Sequence, residues 1–381
     1  MRLSTDPAAR LRLALLAGAA LAAVIAGVAV GARNGSDGAA EKAAPVPDKV
    51  SSARRSTLPV DRLSLRQQVG QVTISSFPDP SAPGYVRRRL RARETAGVIL
   101  FGLNATGRSQ WHALTRSVQR SAGGEALVMV DQEGGEVRTV AWAGPKGAQS
   151  QQGDPAAVRR SAAAAARQLR RAGVNVNLAP VADVPSGAAP ALGSRAYSGD
   201  SGAIAASTRA AIEGMTSAGL AATAKHFPGL GRAQVNTDDG SADVPGRLDG
   251  DLAPFRAAIA ADVPLVMLSH ARYPALDPDR IASQSPTVVT ALLRRRLGFE
   301  GVIVTDSIEA QAVLDRSGIG RAAERSIRAG ADLILTTGSA SWNQVHPWLL
   351  RRARSSTTFR ERIRRSAARV LALKKRLGLL G

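Results

Sequence analysis

The sequence predicts an α/β chain folded as a (β/α)8 TIM-type barrel, one catalytic domain behind an N-terminal membrane or signal segment. Three observations predict it. Short β-rich apolar runs alternate with helical stretches, the mark of a parallel sheet. Eight such units fit within residues 58–381, which favours a closed barrel over an open doubly wound sheet. No G-x-G-x-x-G follows an early strand, so the usual sign of a dinucleotide-binding sheet is missing.

Residues 1–32 read as a signal peptide or a transmembrane anchor. Arg2, Arg10 and Arg12 precede an uncharged apolar run at 13–32, long enough at about 1.5 Å per residue to span a bilayer core of about 30 Å. The flanking arginines favour a cytoplasmic N-terminus. Small residues at 29–32 suit cleavage, and the length of the run suits an uncleaved anchor. Residues 33–57 mix Ala, Gly, Pro, Ser and charge without an apolar period and read as a flexible linker. The barrel domain, 58–381, is therefore expected outside the cytoplasm, membrane-anchored or secreted.

Within it the strand runs fall at 69–77, 98–101, 127–130, 174–178, 220–224, 265–268, 302–305 and 333–336. Helical stretches fall at 109–122, 155–172, 203–218, 252–261, 287–297 and 321–329. Gly97, Gly173, Gly219, Gly298 and Gly330 are expected just past helix ends, where a left-handed residue closes the last turn. Ser285 followed by Pro286 reads as an N-cap with Pro in the first turn. Phe359, Ile363, Val370, Leu373 and Leu377 recur at helical spacing among basic residues. Such a helix can lie on anionic lipid, but the reading taken is the last outer helix of the barrel.

Composition narrows the chemistry. There is no cysteine, which removes disulfides, thiolate metal sites and a Cys nucleophile. The four histidines form no H-E-x-x-H pair, so no metal or cofactor is expected. Lys and Arg exceed Asp and Glu by 51 to 30, a formal charge of +21. That surplus suits an anionic partner such as nucleic acid, lipid head groups or a cell-wall polymer, although most of it is Arg scattered along the chain, as on a basic solvated surface. Aromatics are only 3%, too sparse for the stacking platforms of single-strand nucleic-acid binding, so no nucleic acid is expected.

Barrel active sites lie at the C-terminal ends of the strands. Here those ends carry Asp131, Asn177 with Asp183, Lys225 with His226, Ser269 with His270, and Asp306. G-x-S-x-G and P-loop motifs are absent. Carboxylates among Lys, His and Arg suit glycoside hydrolysis, in which one carboxyl group attacks the anomeric carbon and another protonates the leaving oxygen.

The motifs carry the reading further. D-Q-E-G-G at 131–135 and K-H-F-P-G at 225–229 resemble signatures of glycoside hydrolase family 3, and G-V-I-V-T-D at 301–306 resembles its nucleophile strand. N-L-A-P-V-A-D at 177–183, G-S-R-A-Y at 193–197, Ser269-His270 and Ser285-Pro286-Thr287 follow the same order. The chain stops after one barrel, as in the bacterial exo-β-N-acetylglucosaminidases of the NagZ type. The resemblance implies a retaining mechanism on a β-linked glycan, releasing a terminal sugar, most simply N-acetylglucosamine, with Asp306 as nucleophile. It implies sugar-binding roles for Asp131, Arg195, Lys225 and His226, with His270 lining the same pocket. Trp142 is either a subsite wall or a loop anchor.

One departure bears on mechanism. The resembled enzymes carry D-x-H in the loop after K-H-F-P-G-H-G, and its His is their acid/base. This chain has Leu230 for the second His of that signature and Asn236-Thr237-Asp238 in place of the dyad. Glu136 and Thr139 also stand where the family often has Arg, with Arg138 one place early. The reading taken makes Asp238 the acid/base, positioned by Asn236. The alternatives are Asp239, Glu133 or Glu136 as the acid, a β-glucosidase of the same family, or a barrel that binds wall glycan with little turnover.

Overall fold

The computed structural model describes residues 59–186 and 191–380. Eight parallel strands close into a barrel in chain order. They are β1 (Thr73–Ser75), β2 (Gly97–Ile99), β3 (Leu127–Val130), β4 (Val176–Asn177), β5 (Ala221–Phe227), β6 (Leu265–Leu268), β7 (Val302–Ser307) and β8 (Leu333–Leu335). β8 closes on β1, with Thr73 opposite Ile334 and Ile74 opposite Leu335. The expected leader and linker, 1–32 and 33–57, lie outside the described residues. Among the described residues no helix is long and apolar enough to cross a membrane.

The crossover helices are α2 (Gly84–Arg91), α3 (Arg108–Ser121), α4 (Pro155–Arg171), α5 (Ser201–Ser217), α6 (Ala253–Ala260) and α7 (Thr287–Arg296), then the short α8 (Gln311–Leu314) and α9 (Ile319–Ala329); α1 (Leu65–Gln71) precedes the first strand. α10 (Trp342–Ser355) and α11 (Thr357–Arg376) follow the last. The start of the first expected strand run is corrected: residues 69–71 end α1, whose first turn is fixed by a reciprocal Ser64–Gln67 cap. Gly97 is also corrected. It lies inside β2, where an added Cβ would fall 1.9 Å from the Leu127 carbonyl oxygen. Close strand approach, not a helix end, requires glycine there. Gly173, Gly219, Gly298 and Gly330 do take positive φ at helix ends. Ser285 Oγ accepts the Val288 N–H at 3.2 Å ahead of α7, a helix bonded i→i+5 that ends with the Leu297 N–H on the Leu292 carbonyl at 2.9 Å.

The strands' side chains divide between two regions. Ile74, Ile99, Met129, Val176, Met267, Val304 and Leu335 pack inside the barrel, and Val370 and Leu373 of α11 join that cluster. Burying each such side chain contributes roughly 1.5–3 kcal/mol. α11 is thus part of the barrel: Phe359 and Ile363 are also buried on its packed face. At the N-terminal end of the strands, Asp332 is fully buried just before β8. It accepts the Ile303 N–H at 3.1 Å and pairs with Arg362 at 3.1 Å, Arg369 at 3.3 Å and Arg294. Burial draws the Arg294 guanidinium down to about 10 against the pull of Asp332. This cluster ties α7, α11, β7 and β8 together, far along the strands from the catalytic ends.

Candidate active site

An open cavity of ≈ 470 Å³ lies at the C-terminal ends of the strands. Asp131, Arg195, Lys225, His226, Asp238 and Asp306 all line it. Strand direction delivers most of them: Asp131 follows β3, Lys225 and His226 end β5, and Asp306 is near the end of β7. Arg195 closes a single helical turn, Gly193–Arg195, and Asp238 comes from the long loop after β5. Asp131, Asp238 and Asp306 also line a deeper space of ≈ 250 Å³, walled by Ile99, Leu178, Met267 and Leu335 at the top of the barrel interior.

One wall is a network of alternating charge. Lys225 Nζ lies 2.6 Å from Asp131 Oδ1 and 2.6 Å from Glu133 Oε1. Arg195 grips Glu133 with two bonds, Nε to Oε2 at 2.9 Å and Nη2 to Oε1 at 2.8 Å. Burial would raise the Glu133 pKa, but Lys225 and Arg195 overcome it and hold the carboxyl down at about 2. Burial would likewise lower the Lys225 pKa, and Asp131 and Glu133 reverse the sign. Glu133 is therefore corrected as a candidate acid: it has no proton to give near neutral pH and its oxygens are taken. Its work is to hold Lys225 and Arg195 in place, whereas Asp131, with a side chain 24% exposed, keeps an oxygen for a ligand.

Asp306 is set between two histidines. His226 Nε2 lies 3.8 Å from its Oδ2. Its Oδ1 accepts the Ser307 N–H at 2.8 Å. His270 does not line the cavity as expected. It is fully buried behind β7, with Nδ1 2.7 Å from Ser283 Oγ and Nε2 2.9 Å from the Ser307 carbonyl. Burial opposes ionisation of Asp306, yet His226, His270, Lys225 and the Ser307 N–H bring its pKa below the ordinary value. An ionised carboxylate facing a cavity is what nucleophilic attack requires.

The long loop after β5 presents Asp238 at the cavity rim. Asn236 Oδ1 accepts the Asp238 N–H at 3.1 Å, an Asx turn that sets the backbone there. The Thr237 and Asp238 carbonyls accept the first free N–H groups of α8, from Ala312 at 3.1 Å and Gln311 at 3.2 Å. α8 follows the strand that carries Asp306, so the loop that presents Asp238 is tied to the segment just after β7. Burial, then the negative charge of Asp306, pushes the Asp238 carboxyl up to about 6, although the residue as a whole is exposed at the rim. Of the other candidates, Asp239 is exposed and is not among the lining residues, while Glu136 lines the mouth on the hairpin that carries Arg138. Trp142 is a loop anchor: it meets Trp111 edge-on at 6.2 Å, under Arg108.

Asp183, expected at a strand end, has no role assigned from the sequence. It lies behind His226 rather than in the cavity. Among the described residues no group of His, Asp or Glu has the arrangement of a metal site.

Residues 64–373 match the family described as glycosyl hydrolase family 3 N-terminal domain. A curated β-hexosaminidase from Stenotrophomonas maltophilia is 36% identical over 254 residues, 63% of this chain and 75% of that protein. One from Xanthomonas oryzae is 35% identical over the same shares. A family 3 β-N-acetylglucosaminidase from Paenibacillus superposes with a TM-score of 0.79 at 34% identity, covering 84% of this chain and 64% of that one. A β-N-acetylhexosaminidase from Beutenbergia cavernae superposes with a TM-score of 0.77 at 30% identity, covering 82% of this chain and 99% of that one.

Proposed function

The chain belongs to glycosyl hydrolase family 3, and from that premise we propose that it is a retaining β-glycosidase releasing terminal N-acetylglucosamine from wall-type glycans. The observation that carries the reading is the pair of unequal carboxyl groups on one cavity. Asp306 is biased toward the carboxylate and Asp238 toward the acid, the division of labour that retaining hydrolysis needs. In the first step Asp306 attacks the anomeric carbon, the bond to the leaving oxygen breaks, and Asp238 gives that oxygen its proton. In the second, Asp238 takes a proton from water, the water oxygen bonds to the anomeric carbon, and the ester to Asp306 breaks. Asp131, Lys225 and Arg195 fix the sugar through charged hydrogen bonds to its hydroxyl and acetamido groups. The similar curated proteins and structures, described as β-hexosaminidases and β-N-acetylglucosaminidases, support the choice of sugar.

The test is hydrolysis of nitrophenyl β-glycosides by the full chain, the N-acetylglucosaminide beside the glucoside. Preference for the N-acetylglucosaminide supports the reading. Preference for the glucoside changes the sugar. A chain that cleaves neither, yet binds chitooligosaccharide equally well as parent and as Asp306→Asn, is a glycan-binding barrel.

Two finer parts of the reading rest on sequence and surface. The apolar run at 13–32 behind Arg2, Arg10 and Arg12 supports an extracytoplasmic site of action. α2, α3 and α4 contain no Asp or Glu, yet hold exposed like-charge pairs at i,i+4: Arg87 with Arg91, Arg116 with Arg120, Arg167 with Arg171. Each pair costs a helix roughly 0.2–0.5 kcal/mol. That cost favours an anionic polymer as the partner of this wall. Retention on a phosphodiester polymer that is lost in salt and in an Arg116→Glu, Arg167→Glu variant tests it.

A further inference from the structure

The two-step reaction leaves one fully buried carboxylate without a role. Asp183 lies on the segment after β4 and is fully shielded from water. Its Oδ1 accepts two backbone N–H groups, from His226 at 3.1 Å and from Leu230 at 2.7 Å. Its Oδ2 lies 2.7 Å from His226 Nδ1. A carboxylate only accepts hydrogen bonds, so the ring must donate from Nδ1. That leaves Nε2 as the nitrogen turned to the nucleophile, 3.8 Å from Asp306 Oδ2.

The ring is therefore held from behind by one carboxylate and faces another, with Lys225 its chain neighbour and Asp238 within its electrostatic reach. It does not stand where an acid/base stands. In a retaining enzyme that group lies about 5–5.5 Å from the nucleophile, across the scissile bond, whereas His226 sits beside the nucleophile's own oxygen. A ring in that place has to be aimed, because a turn of the imidazole would present carbon instead of nitrogen to Asp306.

We propose that Asp183 is a positioning residue for catalysis: it fixes the tautomer and aim of His226 so that Nε2 meets Asp306 and the reacting end of the sugar. The inference rests on Asp306 as the nucleophile. Asn at position 183 is a sharp probe. Its one oxygen can still accept the two backbone N–H groups, but its amide N–H₂ then faces Nδ1. Nδ1 must become the acceptor, and the proton moves to Nε2.

The experiment records ¹⁵N–¹H spectra of the histidine rings in the full chain, with His226→Ala to assign the ring, beside kinetics of Asp183→Asn and of the double variant. The parent should show a proton on Nδ1 of His226, and Asp183→Asn should lose it, with the ring proton on Nε2. Its kcat should fall about 10- to 100-fold with KM within about threefold, and the double variant should be no slower than His226→Ala. Nε2–H alone in the parent overturns the proposal, and this holds even if Asp183→Asn fails to fold. So does a switched tautomer with kcat retained, or a double variant slower by the product of the two losses. The ring spectrum needs no turnover, so failure of the glycosidase reading would show separately, as an inactive parent with the Nδ1–H ring intact.

Discussion

The two ends of the barrel hold clusters built from the same residue types, and they do opposite work. At the N-terminal end Asp332 has no exposed surface and is met by three arginines, a serine and a backbone N–H. Every lone pair it offers is answered by the protein. At the C-terminal end Lys225, Arg195, Asp131, Glu133, His226 and Asp306 also balance charge against charge, but around an opening of ≈ 470 Å³. Glu133 is answered there on both oxygens, by Arg195 and Lys225, while Asp131 and Asp306 each keep an oxygen for something that enters. Charge alone does not separate a structural cluster from a catalytic one. The separation lies in which acceptors remain unanswered, and toward what space.

The sharpest way to break this comparison is to remove an acceptor from each end. Asp306→Asn should cut turnover of the N-acetylglucosaminide on the order of 10⁴-fold, since a neutral amide cannot form the glycosyl ester. Its unfolding midpoint should stay close to that of the parent. Steady-state kinetics with a denaturation curve on one preparation decides it. Turnover within tenfold of the parent would remove Asp306 from the nucleophile role. Asp332→Ala should do the reverse. It strands Arg294 and Arg362 in a poorly hydrated space, and breaking such a buried cluster costs about 3–5 kcal/mol. Urea unfolding should show that loss, while kcat/KM of the folded fraction stays within about twofold.

A smaller effect sharpens the catalytic end itself. Asp238→Asn removes the proposed general acid, a contribution of roughly 10²- to 10³-fold for a sugar leaving group. A nitrophenolate leaves without much help from a proton, so the first step with that substrate should suffer less. Comparing chitobiose with the nitrophenyl glycoside tests this through the ratio of the two losses. Equal losses on both substrates would mean that Asp238 shapes the cavity without donating a proton.

The barrel was legible because each strand is a short apolar run whose burial is set locally, and the catalytic ends were legible because β/α order places them together. What stayed hidden depended on partners distant in sequence. Asp131 and Glu133 sit two residues apart in one motif, and the motif alone does not show which of them is free to meet a ligand. They differ because Lys225 and Arg195 arrive from later segments and occupy Glu133 completely. His270 looked like a pocket residue, but Ser283 and the Ser307 carbonyl hold it behind the strand. Trp142 had even claims on the loop and the sugar until Trp111 of α3 packed against it. Gly97 reads as a helix end in the sequence because the Leu127 carbonyl that excludes a side chain there belongs to the next strand.

The smallest expected effect bears most directly on how Asp238 and Asp306 are paired. Burial raises Asp238 first and the charge of Asp306 second, to about 6 together. Asp238 must hold a proton to act as the acid, so the first chemical step should weaken as pH rises through about 6. The same proton is linked to stability. A carboxyl group raised in the folded state contributes stability below its unfolded value near 4, and loses it as pH rises through about 6. Exposure at the rim keeps that contribution small. Neutralising Asp306 removes the second cause and leaves the first. In Asp306→Asn the Asp238 midpoint should therefore fall part of the way toward the ordinary carboxylate range without reaching it, read from its ¹³C carboxyl resonance across pH 3–8. A full return would mean that burial does nothing there. An unmoved midpoint would mean that Asp238 does not sense Asp306, and a group that does not sense the nucleophile is not placed to share a glycosidic bond with it.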